Sequence, residues 1–389
     1  MEMLHTALNR GCSVWDKDAL PSSEFHNRIA RIKLDMKQQA VDLLLVYGDS
    51  WRFGDLAFVS HFIPKNRGAL TVIPLDQEPA LVIQEPSRNN PFSSTLTWIE
   101  DVRSVGQFAQ GVGQMLEARG LKPKRVGLVN VEQQLNIREW NGLVKLLDGV
   151  EFRDLGDVLR SLRCVKSAAE LRALEKTASI LDESLAVFER QLRSGKREYE
   201  VAAAAEREAR RRGVEGFYLS IARSTEPRIG LHPPGSAAIQ KADVISVAVA
   251  ACCQRYWAEL GRTFSVGGPS REQLQDYEAT KQLFRSLRDG VRVGVSAAAV
   301  GQFLSEVPHA NRVSLFAYGL GNGIGLDMSE TPILAGKDAL EIQKGMVLTL
   351  RICAARNGFG HGLIAQPFVV GDKLKALSRA VDDLVVVEG

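Results

Sequence analysis

Apolar residues Phe25, Ile29, Ile32 and Met36 recur at spacings of four, three and four, which predicts an amphipathic helix early in the chain. A buried strand follows over 42–48 (DLLLVYG), and GALTVIPL (68–75), PALVIQE (79–85) and RVGLVN (125–130) read as further strands, with a turn at Leu147 to Gly149. Helical and strand periods that alternate in this way predict a three-layer α/β domain over residues 1–165. A second domain, 166–389, opens at Ser167, three residues before Glu170, the spacing of a capping box. Leu171, Leu174, Ala178, Leu181, Leu185, Phe188 and Leu192 then step by three and four up to Gly195, so a helix of about seven turns is expected. A second helix runs from about Tyr199 to Arg212, and the cations Arg210, Arg211 and Arg212 at its end complement the helix dipole. Strands rich in Val, Ile and Thr follow at 244–250 and 255–266, then a helix from about Arg271 to Arg288 and a Gly-rich strand region.

Composition narrows the function classes. With 45% hydrophobic and 24% charged residues over 389 positions, the chain can bury one or two sizeable cores and is not a disordered or fibrous sequence. Lys plus Arg is 49 against 46 for Asp plus Glu, with no long basic run, so nucleic acid is not an expected partner. Five Cys residues (12, 164, 252, 253 and 353) without a C-x-x-C spacing argue against a disulfide framework or a structural zinc site and for a reducing, cytoplasmic setting. The longest nearly apolar run, Val244 to Cys253, is about half of what a bilayer span needs, and the amino terminus lacks an export signal. Gly319 to Gly325 is Gly-rich but leads towards Pro332 and not into a helix, there is no phosphate-binding G-x-x-x-x-G-K-[ST], and Ser296 in GVSAA lacks the second Gly of a nucleophile elbow.

Five segments in the second half resemble, in order, the pita-bread family of creatinase, prolidase, aminopeptidase P and methionine aminopeptidase. They are His232-Pro-Pro with Lys241-Ala-Asp243, Tyr256 to Phe264 (YWAELGRTF), Gly321 to Leu326 (GNGIGL), Ser329 to Pro332 (SETP) and Gly345 to Leu350 (GMVLTL). The resemblance covers about residues 167 to 389, and the first half resembles the smaller amino-terminal domain of creatinase and aminopeptidase P. The implied fold is an α/β amino-terminal domain followed by an α+β pita-bread domain, usually as a homodimer.

Peptidases of that family hold two divalent metals with two Asp, one His and two Glu. The resemblance assigns those positions to Ala248, Glu259, Asn322, Arg351 and Ala365, where Glu259 alone is a carboxylate. A dication needs several anionic or imidazole ligands, and a guanidinium among them repels it, so the expectation is a site with no metal and no other cofactor. Arg351 either pairs with Glu259 across the vacated cavity or clamps an incoming carboxylate. His232 matches the position that supplies the general base in creatinase, a reaction that needs no metal. Creatinase also relies on two Glu residues, and the resemblance matches their positions to Gly261 and Arg351.

Around these, the resemblance adds Glu330 of SETP near the site; Tyr256 and Tyr318 are read as cavity-lining phenols, since a phenol can orient a substrate or pass a proton. His361, in the Gly-rich GFGHG stretch, is a further candidate for the site. Arg67, with Lys65, lies where creatinase-like proteins reach into a neighbouring subunit to hold a substrate carboxylate. Cys252 and Cys253 are expected at a strand end and chemically inert.

Two functions remain open. The first is a metal-independent creatinase-like hydrolase acting on a C–N bond of a small carboxylate-bearing substrate, with His232 and Glu259 catalytic and Arg351, Glu330, Tyr256, Tyr318, Asn322, His361 and Arg67 binding the substrate. The second is a catalytically inactive pita-bread protein that binds a peptide, a protein or a metabolite. Neither involves a nucleic acid or a membrane.

Overall fold

Strand-forming runs of Leu and β-branched residues assemble into two separate sheets in the computed structural model, which describes residues 14–389 apart from 66, 226–229, 306–312, 316–317, 338, 356–361 and 380–381. The chain divides into two compact units, Met1–Arg163 and Cys164–Gly389. The expected first helix spans Ser22–Gln38 and buries Phe25, Ile29, Ile32 and Met36, the four residues that set its period.

The first unit is built on six strands, β1 (Leu43–Asp49), β2 (Gly68–Pro74), β3 (Ala80–Ile83), β4 (Asp101–Ser104), β5 (Arg125–Val129) and β6 (Glu151–Asp154), in the order β4-β3-β2-β1-β5-β6. β1 runs antiparallel to β2 and parallel to β5. Its alternation sorts the core: Leu43, Leu45 and Tyr47 face Phe108, Val112 and Met115 of the Phe108–Ala118 helix, while Ala69, Leu81 and Ile83 on the other face meet Leu56 and Phe62. Both faces are therefore covered, as a three-layer α/β arrangement requires.

The second unit opens on the Ala168–Gln191 helix. Ser167 Oγ accepts the Glu170 amide and the Glu170 carboxylate accepts the Ser167 amide, so the predicted capping box is present. A second helix, Glu198–Arg211, follows, and its three terminal cations are held by carboxylates one turn back, Arg210 by Glu206 and both Arg211 and Arg212 by Glu208. The sheet of this unit contains β7 (Gly216–Arg223), β8 (Val244–Cys253), β9 (Tyr256–Val266), β10 (Ser314–Leu315), β11 (Gly321–Gly323), β12 (Glu330–Ile333), β13 (Val347–Ala355), β14 (Gly362–Val369), β15 (Lys375–Ala376) and β16 (Val385–Val387). Its path is β12-β11-β13-β14-β9-β8-β7, with antiparallel neighbours throughout, and β16 adds in parallel beside β9. The Ala168–Gln191 helix lies against one face of β9, where Phe188 meets Phe264 with ring centroids 5.4 Å apart. Burying each such side chain stabilises the unit by roughly 1.5–3 kcal/mol. The opposite face carries the candidate site.

The β8–β9 hairpin turns through Gln254 and Arg255, both left-handed, at φ 48° and 71°. Side chains other than Gly rarely sit there, and something must hold them. Glu215 does so: it accepts the Arg255 amide at 2.9 Å and pairs with the fully buried Arg255 guanidinium at 2.6 Å. This turn sets the register in which Ala248 faces Gly261 and Ala250 faces Glu259.

Candidate functional site

Register gathers one row of residues across four strands. Ala248 on β8 lies opposite Gly261 on β9, Gly261 opposite Ala365 on β14, and Ala365 opposite Arg351 on β13. Directly opposed residues share a face of a sheet, and so do residues two apart on one strand, which adds Glu259 beside Gly261. Asn322 on β11 opposes Thr349, two residues from Arg351, and so belongs to the same face. The five positions singled out in the sequence therefore converge. The middle of the row is tight, since a Cβ added to Gly261 would come within 2.8 Å of the Ala365 methyl carbon.

Arg351 and Glu259 close on one another. Arg351 Nε donates to Glu259 Oε1 at 3.0 Å, and Nη2 donates to Oε2, a two-pronged pairing. Nη1 donates to the Tyr318 carbonyl at 2.7 Å, and Nη2 lies 3.5 Å from Asn322 Oδ1. Asn322 turns its own Nδ2 to the carbonyls of Gly323 and Met328, at 2.8 and 3.0 Å. Of the two alternatives for Arg351, the structure holds the ion pair, with side-chain exposures of 14% for Arg351 and 12% for Glu259.

These donors do not fit a pair of dications. Two of the five positions end in methyl groups, one carries an amide, and a guanidinium occupies the only carboxylate. Among the described residues, no group of three or more His, Cys, Asp and Glu side chains could hold a metal ion.

His232 is placed by a short bridge to β7, exchanging backbone hydrogen bonds with Ile221 at 2.8 and 3.0 Å. Its Nδ1 lies 2.9 Å from the Gly230 carbonyl and its Nε2 3.4 Å from Glu198 Oε2. Tyr318 links this segment to the ion pair: its hydroxyl accepts the Leu231 amide at 3.0 Å while its carbonyl accepts from Arg351. Tyr318, Arg351, Glu259 and Asn322 thus form one connected set, to which the His232 segment is tied through the Leu231 amide.

Other expected residues are placed differently. Tyr256 is three residues from Glu259 on the same strand and so faces the other way; its hydroxyl donates to Glu170 at 3.1 Å under the Ala168–Gln191 helix, and it is fully buried. It is a packing residue, not part of the cavity lining. Glu330 is committed to structure, accepting Lys166 Nζ at 2.7 Å and the Asp327 amide at 3.1 Å, with both charged groups almost completely buried. Arg67 belongs to the other unit, where it is exposed just before β2. His361 lies outside the described residues. The sequence reading missed Glu198. Its acidic first-turn position on a helix was visible, but its approach to His232, a loop and a strand away, has no local signal.

Residues 172–385 match the model of metallopeptidase family M24. A Xaa-Pro dipeptidase of Pyrococcus horikoshii is 27% identical over 203 residues, which is 51% of this chain and 58% of that protein, so the chain aligns with little more than half of this relative's length. Among solved structures, the prolidase of Pyrococcus horikoshii OT3 superposes with a TM-score of 0.79 at 21% identity, covering 92% of this chain and 100% of that one. The X-Pro aminopeptidase of Thermotoga maritima superposes with 0.81 at 20% identity, over 92% and 99%. At these identities the superpositions establish the fold, an α/β unit followed by a pita-bread unit. With its second unit matched almost from end to end, the chain belongs to metallopeptidase family M24.

Proposed function

We propose that the chain is a metal-independent hydrolase that cleaves a C–N bond of a small carboxylate-bearing substrate in the manner of creatinase. The observation that carries this reading is the two-pronged hold of Arg351 on Glu259, because it occupies the one carboxylate among the five positions that would hold a dication. Family membership supports hydrolysis, and the polar set around the pair supports a small polar substrate. A substrate carboxylate competes with Glu259 for the guanidinium fork, and the released Glu259 can then meet a cationic or polar nitrogen. His232 carries the proton: it takes one from a water whose oxygen bonds to the carbon, and delivers it to the nitrogen that leaves with the electron pair of the broken bond. Asn322 and Tyr318 orient the guanidinium. No step passes through a metal. The reading includes a cytoplasmic homodimer in which Arg67 of each subunit would reach its partner's site, with no nucleic-acid or membrane partner; among the described residues no helix is long and apolar enough to cross a membrane.

A second reading, binding without turnover, is favoured by a specific observation: Arg351, Glu259 and both ring nitrogens of His232 already have partners inside the protein. One experiment separates the two. The purified protein is assayed against guanidino acids, N-carbamoyl and N-acyl amino acids and Xaa-Pro dipeptides, with chelator or with added manganese, cobalt or zinc, and calorimetry runs in parallel. Turnover that is indifferent to chelator and abolished by His232→Ala is the expected result. Activity that vanishes with chelator and returns with metal overturns the metal-independent reading. Saturable binding without turnover establishes the second reading.

A further inference from the structure

We propose that Glu198 is the positioning residue of this site, holding the His232 ring in one orientation and stabilising the proton the ring takes up on Nε2. The inference rests on the reading of His232 as proton carrier and adds to it the group that makes the imidazole directional.

Glu198 is the first residue of its helix and is 1% exposed. A carboxylate that deeply buried is costly unless several donors surround it. Its Oε2 accepts the Gly235 amide at 2.8 Å and lies 3.4 Å from His232 Nε2, and its Oε1 lies 2.7 Å from Arg223 Nε. Arg223, 2% exposed, donates to the Ala238 carbonyl at 3.0 Å and stands 3.6 Å from Asp243 Oδ2. Asp243 is fully buried and accepts Thr225 Oγ1 at 2.6 Å and the Gln240 amide at 2.8 Å. Among the described residues the buried cluster thus contains two carboxylates and one guanidinium, one negative charge in excess. A proton gained by His232 neutralises it.

The other ring nitrogen fixes the direction. A backbone carbonyl only accepts, so Nδ1, 2.9 Å from the Gly230 oxygen, must carry a hydrogen. Nε2 is then the nitrogen that exchanges its proton, and Glu198 is the anion beside it. Among the described residues, the groups that face the ring or its segment are the Glu198 carboxylate from the helix, the Arg223 guanidinium behind it on β7, the Gly230 carbonyl and the Tyr318 hydroxyl at the Leu231 amide. The ring keeps 23% of its side-chain surface exposed, enough for water or a substrate to reach it.

The test is ring-nitrogen NMR of protein labelled with 15N-histidine, in the parent chain and in Glu198→Gln and Glu198→Asp, with folding checked by circular dichroism. In the protonated ring of the parent, a downfield Nε2–H resonance protected from exchange is expected. Glu198→Gln should lose that protection while Nδ1–H is retained, and Glu198→Asp should restore it in part. With a substrate in hand, Glu198→Gln should lower kcat at least tenfold with little change in KM. A folded Glu198→Gln protein with an unchanged Nε2–H signal refutes the proposal, as does a parent chain in which Nε2–H is never protected; the second measurement stands even if the variant does not fold. A protected Nε2–H in a protein that turns over none of the substrates leaves the positioning role intact and defeats the hydrolase reading alone.

Discussion

Breaking the Arg351–Glu259 pair from each side and from both tests whether a closed ion pair occupies the centre of the second unit. Arg351→Met leaves a carboxylate only 12% exposed without its cation, and Glu259→Leu leaves a guanidinium 14% exposed without its anion. Removing one partner of a buried pair costs about 3–5 kcal/mol, and the residual exposure puts each single variant near the lower end, at about 3 kcal/mol. The double variant removes both charges and replaces them with apolar side chains of similar volume, so its cost should lie within ~1 kcal/mol of zero or be a gain. The coupling energy is therefore expected at several kcal/mol, far above the ~0.5 kcal/mol scatter of independent sites. Equilibrium urea unfolding gives the four stabilities, and hydrogen exchange on β9 and β13 assigns the transition to the second unit. If the two single costs simply add in the double variant, the pair is not closed and the account of the site fails.

Two further outcomes follow from other parts of the molecule. Burial alone would raise the Asp101 carboxyl, but the Arg103 and Arg119 guanidiniums, at 2.7 and 2.6 Å, overcome it and hold the group below its usual value. A carboxylate depressed in the folded state contributes stability above its unfolded value, near 4, and loses it as pH falls through the lower folded value. Asp101→Asn should accordingly cost ~1 kcal/mol at pH 7 and progressively less as pH falls through the lowered folded value, as measured by urea denaturation across a series of acid pH values. Cys164, Cys252, Cys253 and Cys353 are all buried, and burial pushes the Cys353 thiol up to about 12. Thiolate is the reactive form, so a thiol reagent at pH 8 should label none of the four until denaturant is added; rapid labelling of Cys353 in the native protein, mapped by mass spectrometry, would contradict its placement.

What could be read from sequence alone divides along a physical line. The Ala168–Gln191 helix and its capping box depend on residues three and four apart, and both were legible. β4 and β6 were not: they are the two edge strands of the first sheet, four residues each, with half-exposed or exposed side chains such as Asp101, Arg103, Glu151 and Arg153 in place of an apolar alternation. The resemblance located Arg351 and Glu259, but 92 positions separate them, and only the register of β9, β14 and β13 decides that they pair. The misplacement of Tyr256 was avoidable, since three residues along a strand reverse the face and Tyr256 and Glu259 could never line one cavity.

That parity argument reaches further than one tyrosine. Whether Glu259 faces Arg351 or the Ala168–Gln191 helix depends on the β8–β9 register, and a slip by one residue would move the whole set of β9 side chains to the wrong face. The register is set at the hairpin, where Gln254 and Arg255 sit in a left-handed conformation that Glu215 holds through the buried Arg255 guanidinium. The chemistry of the site and the strain in that turn are therefore linked through the strand between them. The Arg351–Glu259 pair thus depends on a register that a second, deeper ion pair at the start of β9 helps to hold.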